Sequence, residues 1–189
     1  MASPHDFLGL TLGEWLEELA QSRAAPGGGS ALAFALSTAA AVLSMAARVS
    51  RAHGLAAQAE SLRARTAPLA QIDSDRYEEA LAARDATEAM RAEHRDWELG
   101  QAFARAAEPP LEIARAAVDV AELAAELAES GDPRVHADAV AAAALAAGVA
   151  RGAVALVAVN LTAVEGDSRV AEARRLAEAA DQAAARAGC

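Results

Sequence analysis

Five residues, Pro26-Gly27-Gly28-Gly29-Ser30, open directly into Ala31 to Ala47, a stretch with no charged side chain. The first turn of a helix leaves about four N–H groups without intrahelical partners, and the summed peptide dipole makes that end positive. A helix beginning here would therefore offer a place for a carboxylate or a phosphate. Three glycines remove the Cβ atoms that would hold a ligand off the backbone, and Ser30 is expected to cap the helix with its hydroxyl. Two plainer readings stand beside this one: a flexible Gly/Ser linker, and a tight interhelical turn whose glycines serve only close packing. Amphipathic sequence on both sides argues against the linker, and the packing turn stays open.

Polar groups inside apolar helical sequence are the next candidates, because burying one without a partner is costly. Asp138, Arg151 and Asn160 qualify. Asp138 stands where a first-turn acid would complement the helix dipole, as an alternative to catalysis. Asn160, between Val159 and Leu161, needs hydrogen-bond partners wherever it is buried. Arg151 is read as a buried cation paired with an acid. Asp73, Asp75 and Tyr77 fall within about a turn of one another. His5, His53, His94 and His136 are too far apart for metal-ligand spacing, and no metal site is expected. Nucleophile elbows, Walker loops and dinucleotide fingerprints are missing from the sequence, which sets those enzyme classes aside.

The elements that must position these groups read as helices throughout. The 189 residues suffice for one domain with a substantial core, and a single domain over 1–189 is expected. Hydrophobic residues make up 54% of the chain, dominated by alanine, and aromatics only 3%, a composition that favours helix over strand. An all-α bundle of five to seven helices, kinked at prolines, follows. Thr11-Leu12-Gly13-Glu14 reads as a capping box for a helix ending near Ser22, with Trp15, Leu16 and Leu19 on its apolar side. The next helix is expected over Ser30 to His53 with Gly54 at its C-cap. Pro68 should kink or split the segment from Leu55 to Arg91. A helix over Ala92 to Ala107 precedes the break at Pro109-Pro110. Glu112, Arg115, Asp119, Glu122, Glu126 and Glu129 then recur every three or four residues as a solvated stripe. An apolar helix from His136 to Val164 and an amphipathic one from Arg169 to Arg186 complete the chain.

The net charge of −10 and the scattered arginines argue against nucleic-acid binding. All 17 basic residues are arginine. The only cysteine, Cys189, precludes an intrachain disulfide, and a cytoplasmic location without export signal or membrane span is expected. Ala31–Ala47 and Ala139–Val164 are apolar enough to resemble membrane spans, but their alanine-rich content reads better as buried core helices, central to a bundle or a dimer.

Three groups of residues resemble the cyclodeaminase/cyclohydrolase family, which includes the C-terminal domain of formiminotransferase-cyclodeaminase and free-standing methenyltetrahydrofolate cyclohydrolases. They are Leu10-Thr11-Leu12-Gly13-Glu14-Trp15-Leu16, then Ala24 to Ala31 with Met45, and Asp73-Ser74-Asp75-Arg76-Tyr77. Pro110-Leu111 with Ala114, Ala137-Asp138-Ala139 and Val159-Asn160-Leu161 extend the resemblance over nearly the whole chain. The sequence departs from the family at Arg51-Ala52-His53-Gly54 and Asp85-Ala86-Thr87-Glu88, where lysines are usual, at Ala137, usually Ser, and at Leu156, usually Asn.

The resemblance implies an all-helical homodimer acting on a folate one-carbon unit, by hydrolysing 5,10-methenyltetrahydrofolate or cyclising 5-formiminotetrahydrofolate with loss of ammonia. No cofactor beyond the tetrahydrofolate substrate is implied. Asp138 and Asp73 would be catalytic carboxylates beside the substrate cation. Gly27, Gly28, Gly29, Ser30 and Asn160 would bind and orient it. The alternative is a family member that binds a ligand or a partner without this turnover, consistent with the missing lysines and Leu156.

Overall fold

The computed structural model describes residues 6–88, 90–162 and 166–189. Among these there is no strand, and eight α-helical segments reduce to six rods when those running on through a kink are joined. The segments are α1 (Leu12–Leu19), α2 (Gly28–Val49), α3 (His53–Thr66), α4 (Leu69–Thr87), α5 (Ala92–Ala106), α6 (Glu108–Ser130), α7 (His136–Asn160) and α8 (Ser168–Ala187). Helix α7 ends at Asn160, with Leu161 as its C-cap, short of the expected Val164; Val164 itself and His5 lie outside the described residues.

Local chemistry sets most boundaries. The Thr11 hydroxyl accepts from the Glu14 N–H while the Glu14 carboxylate accepts from the Thr11 N–H at 2.8 Å, a complete capping box. Helix α1 ends at Leu19, earlier than expected, and Leu16 is turned to solvent while Trp15 is buried. Trp15 stacks between Phe7 (5.0 Å between centroids) and Phe34 (4.7 Å), anchoring the N-terminal segment on α2. Pro68 splits α3 from α4, as a residue without an N–H must. Asp167 caps α8 by accepting from the Arg169 N–H at 2.9 Å.

Helix α2 differs from expectation at both ends. It starts at Gly28, with Gly27 as N-cap, so Ser30 lies inside the first turn and is not the cap. It stops at Val49, and Arg51 takes the left-handed conformation (φ 58°) that glycine usually supplies, while Gly54 sits within α3.

The core is built from alanine. Helix α7 packs on α2, α6 and α8; α3 and α4 flank α2, and α5 leans on α4. Small side chains let these helices approach closely: a Cβ on Gly152 of α7 would lie 3.0 Å from Leu32 of α2. The acidic stripe of α6 faces outward as expected, but it also ties α6 to α8, through Arg115–Glu172 (2.7 Å) and Glu122–Arg186 (2.5 Å). Arg151 is not a buried cation; it is exposed and pairs with Asp181 of α8.

Candidate functional site

The glycine-rich turn, α4 and the end of α7 converge on a cleft of about 180 Å³. Gly27, Gly28 and Gly29 form one side, Asp73 and Tyr77 of α4 a second, and Leu156 and Asn160 of α7 a third. Both helical pairs are spaced i, i+4, which places each pair on one face.

Each glycine does a different job. A Cβ on Gly29 would fall inside the Asp73 carboxylate, so only glycine lets that side chain reach the helix start. On Gly28 it would make an ordinary contact with Leu156, 3.6 Å away, and on Gly27 a tight one with the Ala24 carbonyl oxygen at 3.3 Å. The positive end of α2 is therefore already supplied with an anion, and that anion is the chain's own Asp73. This revises the expectation of a cradle for an anionic ligand: what the cleft presents is a carboxylate.

Burial pushes the Asp73 carboxyl up to about 6, against the lowering effect of the Ser30 N–H and hydroxyl. The Ser30 hydroxyl is itself fully buried and donates to the Ala70 carbonyl oxygen at 2.7 Å. Ser30 thus fastens α2 to α4 behind the cleft and does not line it. Asp75, on the neighbouring facet of α4, points elsewhere: it accepts from Gln71 Nε2 at 2.9 Å, and Gln71 in turn accepts from the Phe7 N–H.

Asn160 is buried, and its Nδ2 donates to the Ala106 carbonyl oxygen at 2.9 Å where α5 meets α6. Because only the NH2 end can donate to a carbonyl, this bond fixes the orientation of the amide on a residue that lines the cleft. Tyr77 packs edge-on against Phe103, with centroids 6.5 Å apart. Asp138 is not brought to this place within one chain. It lies in the first turn of α7, about 33 Å along the helix from Asn160 at 1.5 Å per residue.

Asp73, the three glycines and Asn160, singled out from the sequence, thus meet at one cleft. Tyr77 and Leu156 belong to it too; the i, i+4 spacings 73/77 and 156/160 were the signal that could have assigned them. Arranged this way, the cleft holds a carboxyl half-neutralised at a pH of about 6, an oriented amide and an aromatic ring. It favours a cation over an anion.

No curated protein sequence matches the chain. Its fold is similar to the crystal structure of formiminotetrahydrofolate cyclodeaminase from Thermotoga maritima, with a TM-score of 0.87, 22% sequence identity and 96% of each chain covered. Residues 11–180, most of the chain, match the formiminotransferase-cyclodeaminase family, and the chain belongs to that family.

Proposed function

We propose that this protein acts on the cationic one-carbon unit of a reduced folate, hydrolysing 5,10-methenyltetrahydrofolate or cyclising 5-formiminotetrahydrofolate with release of ammonia. The observation that carries this reading is the Asp73 carboxyl, pushed up to about 6 and set on the wall of a cleft that also offers the Asn160 amide. In hydrolysis, ionised Asp73 takes a proton from water as the oxygen adds to the methenyl carbon; one ring C–N bond then breaks, leaving the formyl group on nitrogen. In cyclisation the second folate nitrogen attacks the formimino carbon; protonated Asp73 gives its proton to the departing amino group, which leaves as ammonia, and the resulting carboxylate takes up the proton that the attacking nitrogen loses. A carboxyl poised near neutrality serves either direction. Asn160 orients the substrate, and the negative charge of Asp73 balances the delocalised cation. In this scheme Asp138 takes no part within its own chain.

The uncovered apolar surfaces of α2 and α7 support a homodimer. Met45 and Val49 on α2, and Leu145 and Val159 on α7, are all more than 40% exposed, on helices that otherwise form the centre of the bundle.

A second reading is binding without turnover. It is favoured by Leu156, an apolar side chain on the cleft wall where the family motif usually carries Asn. Turnover assays with both folates, following loss of the methenyl form and release of ammonia, separate the two. Turnover of either establishes the enzyme. Calorimetric binding of both without turnover establishes the second reading, and neither binding nor turnover removes both.

A further inference from the structure

The cleft is too small for a whole folate. At about 180 Å³ it falls below the roughly 300–1,000 Å³ of small-molecule sites, so a ligand whose cationic ring sits against Asp73 must extend beyond it. A second groove, of about 500 Å³, lies between α4, the start of α6 and the start of α8. The two hollows share no lining residue, but α4 contributes to the lining of both. On α4, Ile72, Arg76 and Leu69 of the groove and Asp73 and Tyr77 of the cleft follow one another around an arc of roughly 140°, at about 100° per residue. Arg76 stands one turn from Asp73, where Cβ atoms are about 5–6 Å apart. Opposite them, the Ala106 carbonyl that holds Asn160 is followed two residues later by Glu108 of the groove.

The groove has an amphipathic lining. Leu69, Ile72 and Leu111 give it an apolar floor, and Ile72 is 42% exposed with nothing covering it. Three guanidiniums, Arg76, Arg115 and Arg169, border that floor together with two carboxylates, Glu108 and Glu112. Each guanidinium is steadied by an acid: Arg76 by Glu79 at 2.8 Å, Arg115 by Glu172 at 2.7 Å and Glu112 at 3.2 Å, and Arg169 by Asp167 at 2.7 Å. Arg169 also donates to the Ala104 carbonyl at 2.9 Å. A guanidinium carries five N–H donors. Arg76 uses a single nitrogen for its exposed pair with Glu79, so its Nε and other terminal nitrogen stay available. Such exposed pairs contribute little and exchange readily for another carboxylate.

Resting on the folate reading above, we infer that the groove between α4 and α6 is the subsite for the ligand's aryl-carboxylate tail, with the aromatic ring on Ile72 and Leu111 and the carboxylates met by Arg76 first and by Arg115 and Arg169 beyond it. The tail anchors the substrate from outside the reacting cleft and contributes binding to ground and transition states alike.

The test compares wild type with Arg76→Gln in the full-length protein, using 5,10-methenyltetrahydrofolate, p-aminobenzoylglutamate as the tail alone, and a reduced pterin lacking the tail. Binding is read by calorimetry and turnover by steady-state kinetics. Expected are a roughly tenfold rise in KM for the folate with kcat held, a similar loss of p-aminobenzoylglutamate affinity, partial recovery in Arg76→Lys, and unchanged affinity for the tail-less pterin. The last readout separates a tail contact from a general structural effect, which would weaken both fragments. Unchanged folate KM and tail affinity in Arg76→Gln would overturn the subsite while leaving the folate reading intact. Failure of the wild type to bind or turn over any folate would overturn that reading and the subsite with it.

Discussion

Asp73 holds the balance between folding and chemistry at the single-residue scale. Its carboxyl is pushed up to about 6 by burial, so between the unfolded value near 4 and that figure the folded protein binds more protons than the unfolded one. Stability therefore falls as pH rises through that window and levels off above it. Asp73→Asn should accordingly melt no lower than wild type at pH 7.5, or a few degrees higher, while activity falls by about 10²-fold or more. Thermal melts at pH 4.5 and 7.5, beside turnover, check both halves; a clearly lower melting temperature at pH 7.5 would contradict the account of the site. The pH profile also reports the direction of proton transfer. If Asp73 removes a proton from water, kcat/KM for methenyl hydrolysis rises with pH to a midpoint about 6; if it protonates departing ammonia, cyclisation falls above that midpoint. Gly29 makes the complementary case. Gly29→Ala puts a methyl group into the Asp73 carboxylate and should cost about 1–3 kcal/mol along with activity, whereas Gly28→Ala meets only Leu156 at 3.6 Å and should be close to neutral in urea titration. The glycine run was visible as a place where backbone must be approached, but its occupant was not. That a carboxylate 44 positions away fills it depends on how α4 crosses α2, which local spacing does not encode.

Elements defined by side-chain-to-backbone chemistry were readable from sequence, and those defined by tertiary fit were not. The Thr11/Glu14 box and the Pro68 split each rest on a local donor or acceptor, present or missing, and each stands where its residues put it. The start of α2 was misplaced because Ser30 is a good cap in isolation, yet its hydroxyl is taken by the Ala70 carbonyl. The end of α2 was misplaced because glycine is the usual left-handed residue, and Gly54 was available; the chain instead turns at Arg51, close enough to Val49 for α3 to fold back onto α2. A non-glycine residue in that conformation costs roughly 1–2 kcal/mol. Arg51→Gly should thus raise stability by about 1 kcal/mol, less the extra backbone entropy glycine brings to the unfolded chain, as a shift of the denaturation midpoint without a change of slope. Arg151 was misjudged for a related reason: its neighbours in sequence are apolar, but the facet of α7 that carries it is left open beside α8, where Asp181 meets it.

The whole molecule presents the same pattern of an apolar surface with nothing on it. Helices α2 and α7 are both long and apolar enough to cross a membrane, yet they pack against each other, and each leaves one face uncovered. On α7 that face runs through Ala141, Ala144, Leu145, Ala155 and Val159; on α2 it runs through Thr38, Ala41, Met45 and Val49. Small side chains there do not fill a core of their own, but they allow a second helical layer to come close, as they do inside the bundle. Exposed apolar side chains of this kind on a chain of net charge −10 mark a candidate interface, and in the proposed homodimer a second copy would present the same face through a two-fold axis. Leu145→Glu combined with Met45→Glu places charge on both helices of that surface without entering the core, since both side chains are more than 40% exposed. Light scattering should then give twice the 19.2 kDa chain mass for wild type and the single chain mass for the double variant, with helical circular dichroism retained. A wild type of single-chain mass at micromolar concentration would leave that surface to another partner. If the dimer forms and activity falls with it, the cleft draws on the second copy, and Asp138, remote from Asn160 within one chain, becomes the first residue to substitute across the interface.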